Sequence, residues 1–239
     1  MFPLLKWSIE DFVYGATGGA VTTFAIVAGV VGASLSPSIV LILGFANLFA
    51  DGFAMAIGNF LSSKSRIESI QRERKREEWE IENNPTQKIQ EIKDIYSEKG
   101  FKDELLENIA KVIISKRKVW VDTIMEEKIG PIDNNDENPI YKAITTFFAF
   151  YLIGLVPLVP FIFVYFIYFD LSDSIYTIDN VFFYSIIFTA ISFFSIGLVK
   201  GKVVNKSPVR SGLNTLMMGG IAAVVAFLVG SLLGSYVKW

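Results

Sequence analysis

The chain has 239 residues, 52% of them hydrophobic, with a formal net charge of −2 and neither cysteine nor histidine. That composition is too apolar for an ordinary soluble domain, and the absence of surplus Lys and Arg excludes nucleic acid as a partner. Without Cys there is no disulfide framework or thiolate metal site. Without His, a metal must be held by carboxylates, amides, carbonyls, waters or thioethers, which favours hard or intermediate divalent ions over structural zinc.

Charge is strongly segregated. Residues 63–141 hold 15 of the 22 basic and 18 of the 24 acidic side chains. The flanking sequence is almost uncharged, and its apolar runs reach the roughly 20 residues needed to cross a bilayer. The expected architecture is an all-α integral membrane protein of five transmembrane helices, with a cytoplasmic helical insert between the second and third. Its domains are residues 1–62, 63–141 and 142–239. The first eleven residues carry one Lys, two acids and no small-residue cleavage site, so they are expected to stay attached to the first span.

The first span is expected over residues 12–34 and the second over 37–62, separated by the short break Ser34-Leu35-Ser36-Pro37-Ser38. Gly15 and Gly19 lie four apart in the first span, a spacing that lets helix backbones approach within one chain or across a dimer. The second span carries a polar stripe, Asn47, Asp51, Met55 and Asn59, recurring every four positions. Asp51 is the one ionisable residue well inside a predicted span. A carboxylate there costs about 2.5–3.5 kcal/mol to insert, so it should face a cavity, a partner or an ion. Asp51 and Asn59 offer oxygen, and Met55 a softer sulfur, to a partly dehydrated divalent cation. The competing reading is a packing Asp bonded to Asn47, Thr22 or Thr23, with Met55 as a gap filler.

The insert begins as a continuation of the second span over residues 66–82 and breaks at Asn83-Asn84-Pro85. A helix from residue 86 carries Ile89, Ile92, Ile95 and Tyr96 on one face and ends at Gly100. Helices follow over 103–115 and 116–128, then a loop over 130–139. Glu73, Glu77 and Glu80 are spaced to share a helix face. With Glu91, Glu126 and Glu127 they make an oxygen-rich cation site conceivable, against the ordinary reading of a solvated charged face. Asp133-Asn134-Asn135-Asp136-Glu137 lacks the glycine and the spacing of an EF-hand and reads as a polar loop.

Further spans are expected over 143–169, where Pro157 and Pro160 should kink the helix or mark a place where it packs against protein, 181–199 and 212–237, the last with Gly230 and Gly234 four apart. Lys200, Lys202, Lys206 and Arg210 crowd the fourth connection. The third connection holds only Asp170, Asp173 and Asp179 as charged residues. The positive-inside rule then places the N-terminus and insert in the cytoplasm and the C-terminus on the opposite side. Asn205-Lys206-Ser207 fits a glycosylation pattern but falls on the inner face.

Two stretches are similar to the vacuolar iron transporter family. Asp11-Phe-Val-Tyr-Gly15 with Gly19-Ala-Val-Thr-Thr-Phe-Ala-Ile-Val-Ala-Gly29 resembles its first span, and Asn47-Leu-Phe-Ala-Asp51-Gly-Phe-Ala-Met55-Ala-Ile-Gly-Asn59 its second. The order of parts agrees as well, and Glu80-Ile81 before Pro85 and Trp120-Val121 before Met125 fall where motifs of the insert would. The resemblance implies a homodimer in the lipid bilayer that exports Fe²⁺, and often Mn²⁺, from the cytosol in exchange for protons. It implies a multi-pass protein of the cell membrane in a prokaryote or of a vacuole-like organelle in a eukaryote, with no cofactor besides the transported ion. By that likeness Met55 is a pathway methionine and Asp51 an acidic neighbour, while the first-span Asp of the family falls on Gly18. The insert's metal-collecting glutamates match Glu77, Glu80 and Glu91, and two more fall on Lys88 and Lys128. Its methionine pair falls on Ile124 and Met125.

The expected function is therefore divalent metal export, probed at Asp51, Met55, Asn59, Glu73, Glu77, Glu80, Glu91 and Met125, with Asn214, Met217 and Met218 as further candidates facing the path. Gly18, Lys88 and Lys128 motivate an alternative, a non-transporting membrane-anchored relative with a structural, interaction or sensing role. A transporter of another solute is a third reading. An enzyme is not expected, because no nucleophile–base pair, phosphate loop or cofactor motif is present.

Overall fold

The computed structural model describes residues 3–130, 138–168 and 178–236. The Asp133–Glu137 loop, Asp170 and Asp173 lie outside them. Every regular element among the described residues is a helix. In order they are α1 (Pro3–Gly32), α2 (Pro37–Asn83), α3 (Pro85–Glu98), α4 (Asp103–Ile114), α5 (Arg117–Ile129), α6 (Pro139–Gly154), a 3₁₀ turn (Val156–Leu158), α7 (Val159–Tyr168), α8 (Ile178–Val203) and α9 (Pro208–Tyr236). Five of these stretches are long and apolar enough to span a membrane: Ile9–Gly32, Pro37–Asn83, Pro139–Phe166, Asp179–Val203 and Pro208–Tyr236. Backbone groups in hydrocarbon must be satisfied within the segment, which is why these runs are helical.

The helix ends follow from local chemistry. Pro37, Pro85, Pro139 and Pro208 each open a helix at its first position, where the missing N–H costs nothing. Three helices stop in the same C-terminal motif. Past α1 the Leu35 N–H donates to the Val30 carbonyl at 3.1 Å, past α3 Phe101 to Tyr96 at 3.1 Å, and past α8 Lys206 to Gly201 at 2.9 Å. The residue before each donor turns left-handed: Ser34 (φ 56°), Gly100 (φ 97°) and Asn205 (φ 52°). Asn205 is thus explained by helix termination, since Asn tolerates this conformation better than most residues.

The chain divides into two compact units, Met1–Leu61 with Asn138–Trp239, and Ser62–Glu137. The first contains a core of Ala16, Ala20, Phe24, Val27, Leu48, Phe150, Leu158, Phe161 and Phe193, among others. Helix α1 runs through its centre and packs on α6, α8 and α9. The glycine pairs make this possible. A Cβ at Gly15 would lie 2.3 Å from the Thr146 carbonyl oxygen and one at Gly19 2.2 Å from that of Phe150. A Cβ at Gly230 would lie 2.1 Å from the Gly29 carbonyl oxygen, and one at Gly234 2.9 Å from Ala33 Cα. Of the two roles open to these glycines, the structure shows packing within one chain.

The third span is broken rather than merely kinked. Pro157 has no N–H to continue the ladder, and the chain tightens into the 3₁₀ turn before α7 resumes. The Ser185 hydroxyl of α8 donates to the Pro157 carbonyl at 2.7 Å, satisfying a backbone group that the break exposes.

The second unit has its own core of Ile81, Ile92, Ala110, Ile113, Trp120, Val121, Ile124 and Met125. Tyr96 and Phe101 close the end of α3 with ring centroids 5.8 Å apart, the apolar contact that usually accompanies such a cap.

Gly19→Ala forces backbone against backbone and should destabilise the protein by about 1–3 kcal/mol. Gly58→Ala, where nothing lies within 4 Å of the added carbon, should be neutral or mildly stabilising. Thermal unfolding in detergent measures both, and equal effects would remove the close-packing argument.

Candidate functional site

Two groups of polar side chains stand out, one in each unit. The first lies along α2 between residues 47 and 59. Asn47, Asp51, Met55 and Asn59 are all half-buried, beside the buried ridge of Gly44, Leu48, Gly52 and Ala56. Four-residue spacing drifts slowly around a 3.6-residue helix, so the stripe borders the packed face along its length.

Each member has a different environment. Asn47 donates from Nδ2 to the hydroxyls of Thr22 at 3.2 Å and Thr23 at 3.5 Å, and the Thr22 hydroxyl donates to the Gly18 carbonyl at 3.0 Å. Asn59 donates to Asp11 Oδ1 at 2.8 Å and to the Thr146 hydroxyl at 2.7 Å, joining α2 to α1 and α6. The packing role offered as the alternative for Asp51 is therefore filled by Asn47. Asp51 itself has no hydrogen bond or ion pair among the described residues.

Met55 lies over Gly18. A Cβ at Gly18 would come 2.7 Å from Met55 Sδ and 2.9 Å from its methyl carbon. The thioether occupies the space that a side chain at position 18 would take. Asn214, Met217 and Met218 are exposed on α9, apart from the packed face that holds Gly212, Thr215, Gly219 and Ala223.

Asp11 falls just before the first expected span and is not among the sequence's candidate site residues. It is 9% exposed and accepts from Asn59 inside the bundle. The signal was present: Asp11, Gly15, Gly18, Gly19 and Thr22 share one face of α1 at helical spacing.

The second group is in the insert. Lys88 Nζ reaches Glu77 Oε2 at 2.5 Å, Glu80 Oε2 at 2.6 Å and Glu91 Oε2 at 2.9 Å. Lys128 Nζ reaches Glu77 Oε1 at 2.8 Å and Glu91 Oε1 at 2.7 Å. Arg76 lies 3.6 Å from Glu80 Oε1 and 3.7 Å from Glu77 Oε1 and also pairs with Glu73. The structure thus brings together Glu77, Glu80 and Glu91, as their proposed role requires, but with lysines between them. Met125 is fully buried in the insert's apolar core beside Ile124, and Glu126 and Glu127 are on the outer side of α5, where Glu127 pairs with Lys99. No grouping of three or more acidic side chains among the described residues is arranged to hold a metal ion. A divalent ion about 4 Å from one of these ammoniums would meet a repulsion of about 8 kcal/mol at an effective dielectric of about 20.

Burial raises the Glu77 and Glu91 carboxyls, but the hydrogen bonds and charges of Lys128 and Lys88 outweigh it and hold both below the ordinary carboxylate value. Burial likewise opposes the Lys88 charge, and the three glutamates overcome it and push its pKa up. The depressed carboxyls contribute stability that is present above their ordinary 4.5 and lost as pH falls through the lower folded values. The raised lysine contributes stability that is present below its ordinary 10.5 and lost only as pH rises through its folded value. The insert should therefore keep its melting midpoint between these limits and lose it in acid. Lys88→Met, which leaves the buried Glu77 paired only through its other oxygen to Lys128 and Arg76, should cost about 1–3 kcal/mol at neutral pH. Circular dichroism melts of the full chain between acid and neutral pH measure both effects.

The sequence model of the VIT family matches residues 9–231. The chain is 37% identical over 227 residues to a vacuolar iron transporter of Toxoplasma gondii, covering 94% of this chain and 74% of that one. It is 35% identical over 233 residues to a vacuolar iron transporter of Plasmodium falciparum, covering 95% and 83%. It is 28% identical over 219 residues to vacuolar iron transporter 1 of Arabidopsis thaliana, covering 92% and 83%. With five apolar helices of membrane-spanning length and a family match across nearly its whole length, the chain belongs to the VIT family.

Proposed function

We propose that this protein is a transmembrane transporter of divalent metal ions, moving Fe²⁺ or Mn²⁺ out of the cytosol in exchange for protons. The observation that carries the reading is Asp51, a half-buried carboxylate within a membrane helix that no side chain among the described residues neutralises. A charge kept in that position at about 2.5–3.5 kcal/mol is paid for by what it binds. The names of the relatives, iron transporters in apicomplexans and plants, support a metal as that ligand.

Asp51 supplies the anionic oxygen and Met55 a soft contact over Gly18 that holds Fe²⁺ or Mn²⁺ without trapping it. Asn59 adds an amide oxygen, and Asp11, bonded to Asn59, extends the polar track along α1. In this mechanism Asp51 takes a proton when the metal leaves, so that one carboxylate serves both ions in turn. We extend the proposal to an N-terminus and insert in the cytoplasm, and to a homodimer. Its interface would use faces other than the Gly15–Gly19 and Gly230–Gly234 pairs, which are taken up inside one chain.

The second reading, a non-transporting relative, is favoured by Gly18 and by the lysines that sit among the insert's glutamates. Flux separates the two. In proteoliposomes with an imposed pH gradient, Mn²⁺ or Fe²⁺ transport should fall by about tenfold or more in Asp51→Asn, the loss expected when a charged contact of about 1.4 kcal/mol is removed. Met55→Ala should reduce it less. No flux in the unmodified protein under any gradient would establish the non-transporting reading, and unchanged flux in Asp51→Asn would remove that residue from the path.

A further inference from the structure

The insert's carboxylate cluster has an unusual completeness. Glu77, Glu80 and Glu91 present six carboxylate oxygens, and every one has a cationic partner in the same unit. Lys88 takes one oxygen from each glutamate at 2.5, 2.6 and 2.9 Å. Lys128 takes the second oxygens of Glu77 and Glu91 at 2.8 and 2.7 Å. Arg76 stands 3.6 Å from the second oxygen of Glu80. The three donors of an ammonium match the three carboxylates around Lys88 one for one.

The placement is as telling as the count. The Lys88 side chain is 4% exposed and Glu77 is 0% exposed, so this ammonium sits inside the cluster and not on its rim. The partners come from three separate helices: Glu77 and Glu80 from the end of α2, Lys88 and Glu91 from α3, and Lys128 from the last turn of α5. A divalent ion bridging carboxylates from several helices would perform the same service. Here covalently attached cations perform it.

We propose that Lys88 and Lys128 are built-in counter-ions of the insert, standing where a bound divalent metal would otherwise stand, so that the insert folds without metal and takes none up. The ammoniums tie α2, α3 and α5 together above the layer of Ile81, Ile92, Ile124 and Met125. For a metal to enter, the buried Lys88 must leave the three carboxylates that it pairs with. The neighbouring open cavity of about 450 Å³ gives no substitute site. Of the carboxylates lining it, Glu91 and Glu127 are already paired to lysines, which leaves only Glu98. This inference concerns the insert alone and holds whether or not the membrane helices carry metal.

The test is Mn²⁺ binding to the purified full-length chain by equilibrium dialysis, in an Asp51→Asn background that silences the membrane stripe. The unaltered insert is expected to show no saturable binding up to about millimolar Mn²⁺, and chelator should leave its melting midpoint unchanged. Replacing both counter-ions, Lys88→Glu with Lys128→Glu, should create a saturable site at least about 100-fold tighter, because each exchange changes the local charge by two. If that variant folds only when Mn²⁺ is present, the inference is equally supported. Should it fail to fold under either condition, the single Lys128→Glu variant decides, with a gain of about tenfold expected at this partly exposed position. Micromolar Mn²⁺ binding to the unaltered insert that Glu80→Gln abolishes would overturn the inference. So would lysine variants that fold normally and acquire no site. Because Asp51 is absent throughout, failure here is distinguishable from failure of transport.

Discussion

The structure depends on how closely other helices can approach α1. Lipid chains are as apolar as leucine, so helices in a bilayer gain little from hydrophobic burial against one another and must gain instead from tight contact. Gly15 and Gly19 admit the backbone of α6, and Gly230 and Gly234 let α9 lie against Gly29 and Ala33. With α1 so enclosed, its polar face has a defined partner in α2. Asp11 meets Asn59, Thr22 meets Asn47, and the bare surface of Gly18 meets Met55. The glycine at position 18 and the methionine at position 55 are best understood together, as one filled volume.

The two polar groups handle charge in opposite ways. In the membrane unit Asp51 has no partner among the described residues, although desolvation makes this the most expensive place to leave a carboxylate unmatched. In the insert, where water is available, Glu77, Glu80 and Glu91 are fully matched by Lys88, Lys128 and Arg76. An unmatched charge in a costly place is what a transient ligand requires. A matched set in a partly buried place is what a fixed fold requires. The contrast is the ground on which we propose binding at the membrane stripe and cohesion in the insert.

Much of the helix map was legible in one dimension because its signals are local. Apolar length, Pro at the first turn, Gly100 past the end of α3 and the charge boundaries near residues 63 and 141 all act within a few residues. The third span was harder to read. Pro157 announced a disturbance, but the partner of the carbonyl at the break, the Ser185 hydroxyl that donates to it, lies twenty-eight residues on. Asp11 was undervalued for the same reason, since its burial comes from α2 and α6.

The sequence by itself determined that the chain is an all-helical membrane protein with a charged insert, because hydrocarbon thickness and backbone hydrogen bonding allow no other reading of its apolar runs. It also placed Asp51, Met55 and Asn59 on one helix stripe and Glu77 and Glu80 on another, because helical periodicity needs only spacing. Only the tertiary structure decided which of those side chains already have partners. Asn47 is occupied by Thr22 and Thr23, Asp51 by nothing among the described residues, and the insert's glutamates by two lysines. One of those lysines comes from thirty-seven or more residues away. Coulomb interactions fall off with distance in space and are indifferent to separation along the chain, so the identity of a carboxylate's counter-ion is settled only when the helices are packed.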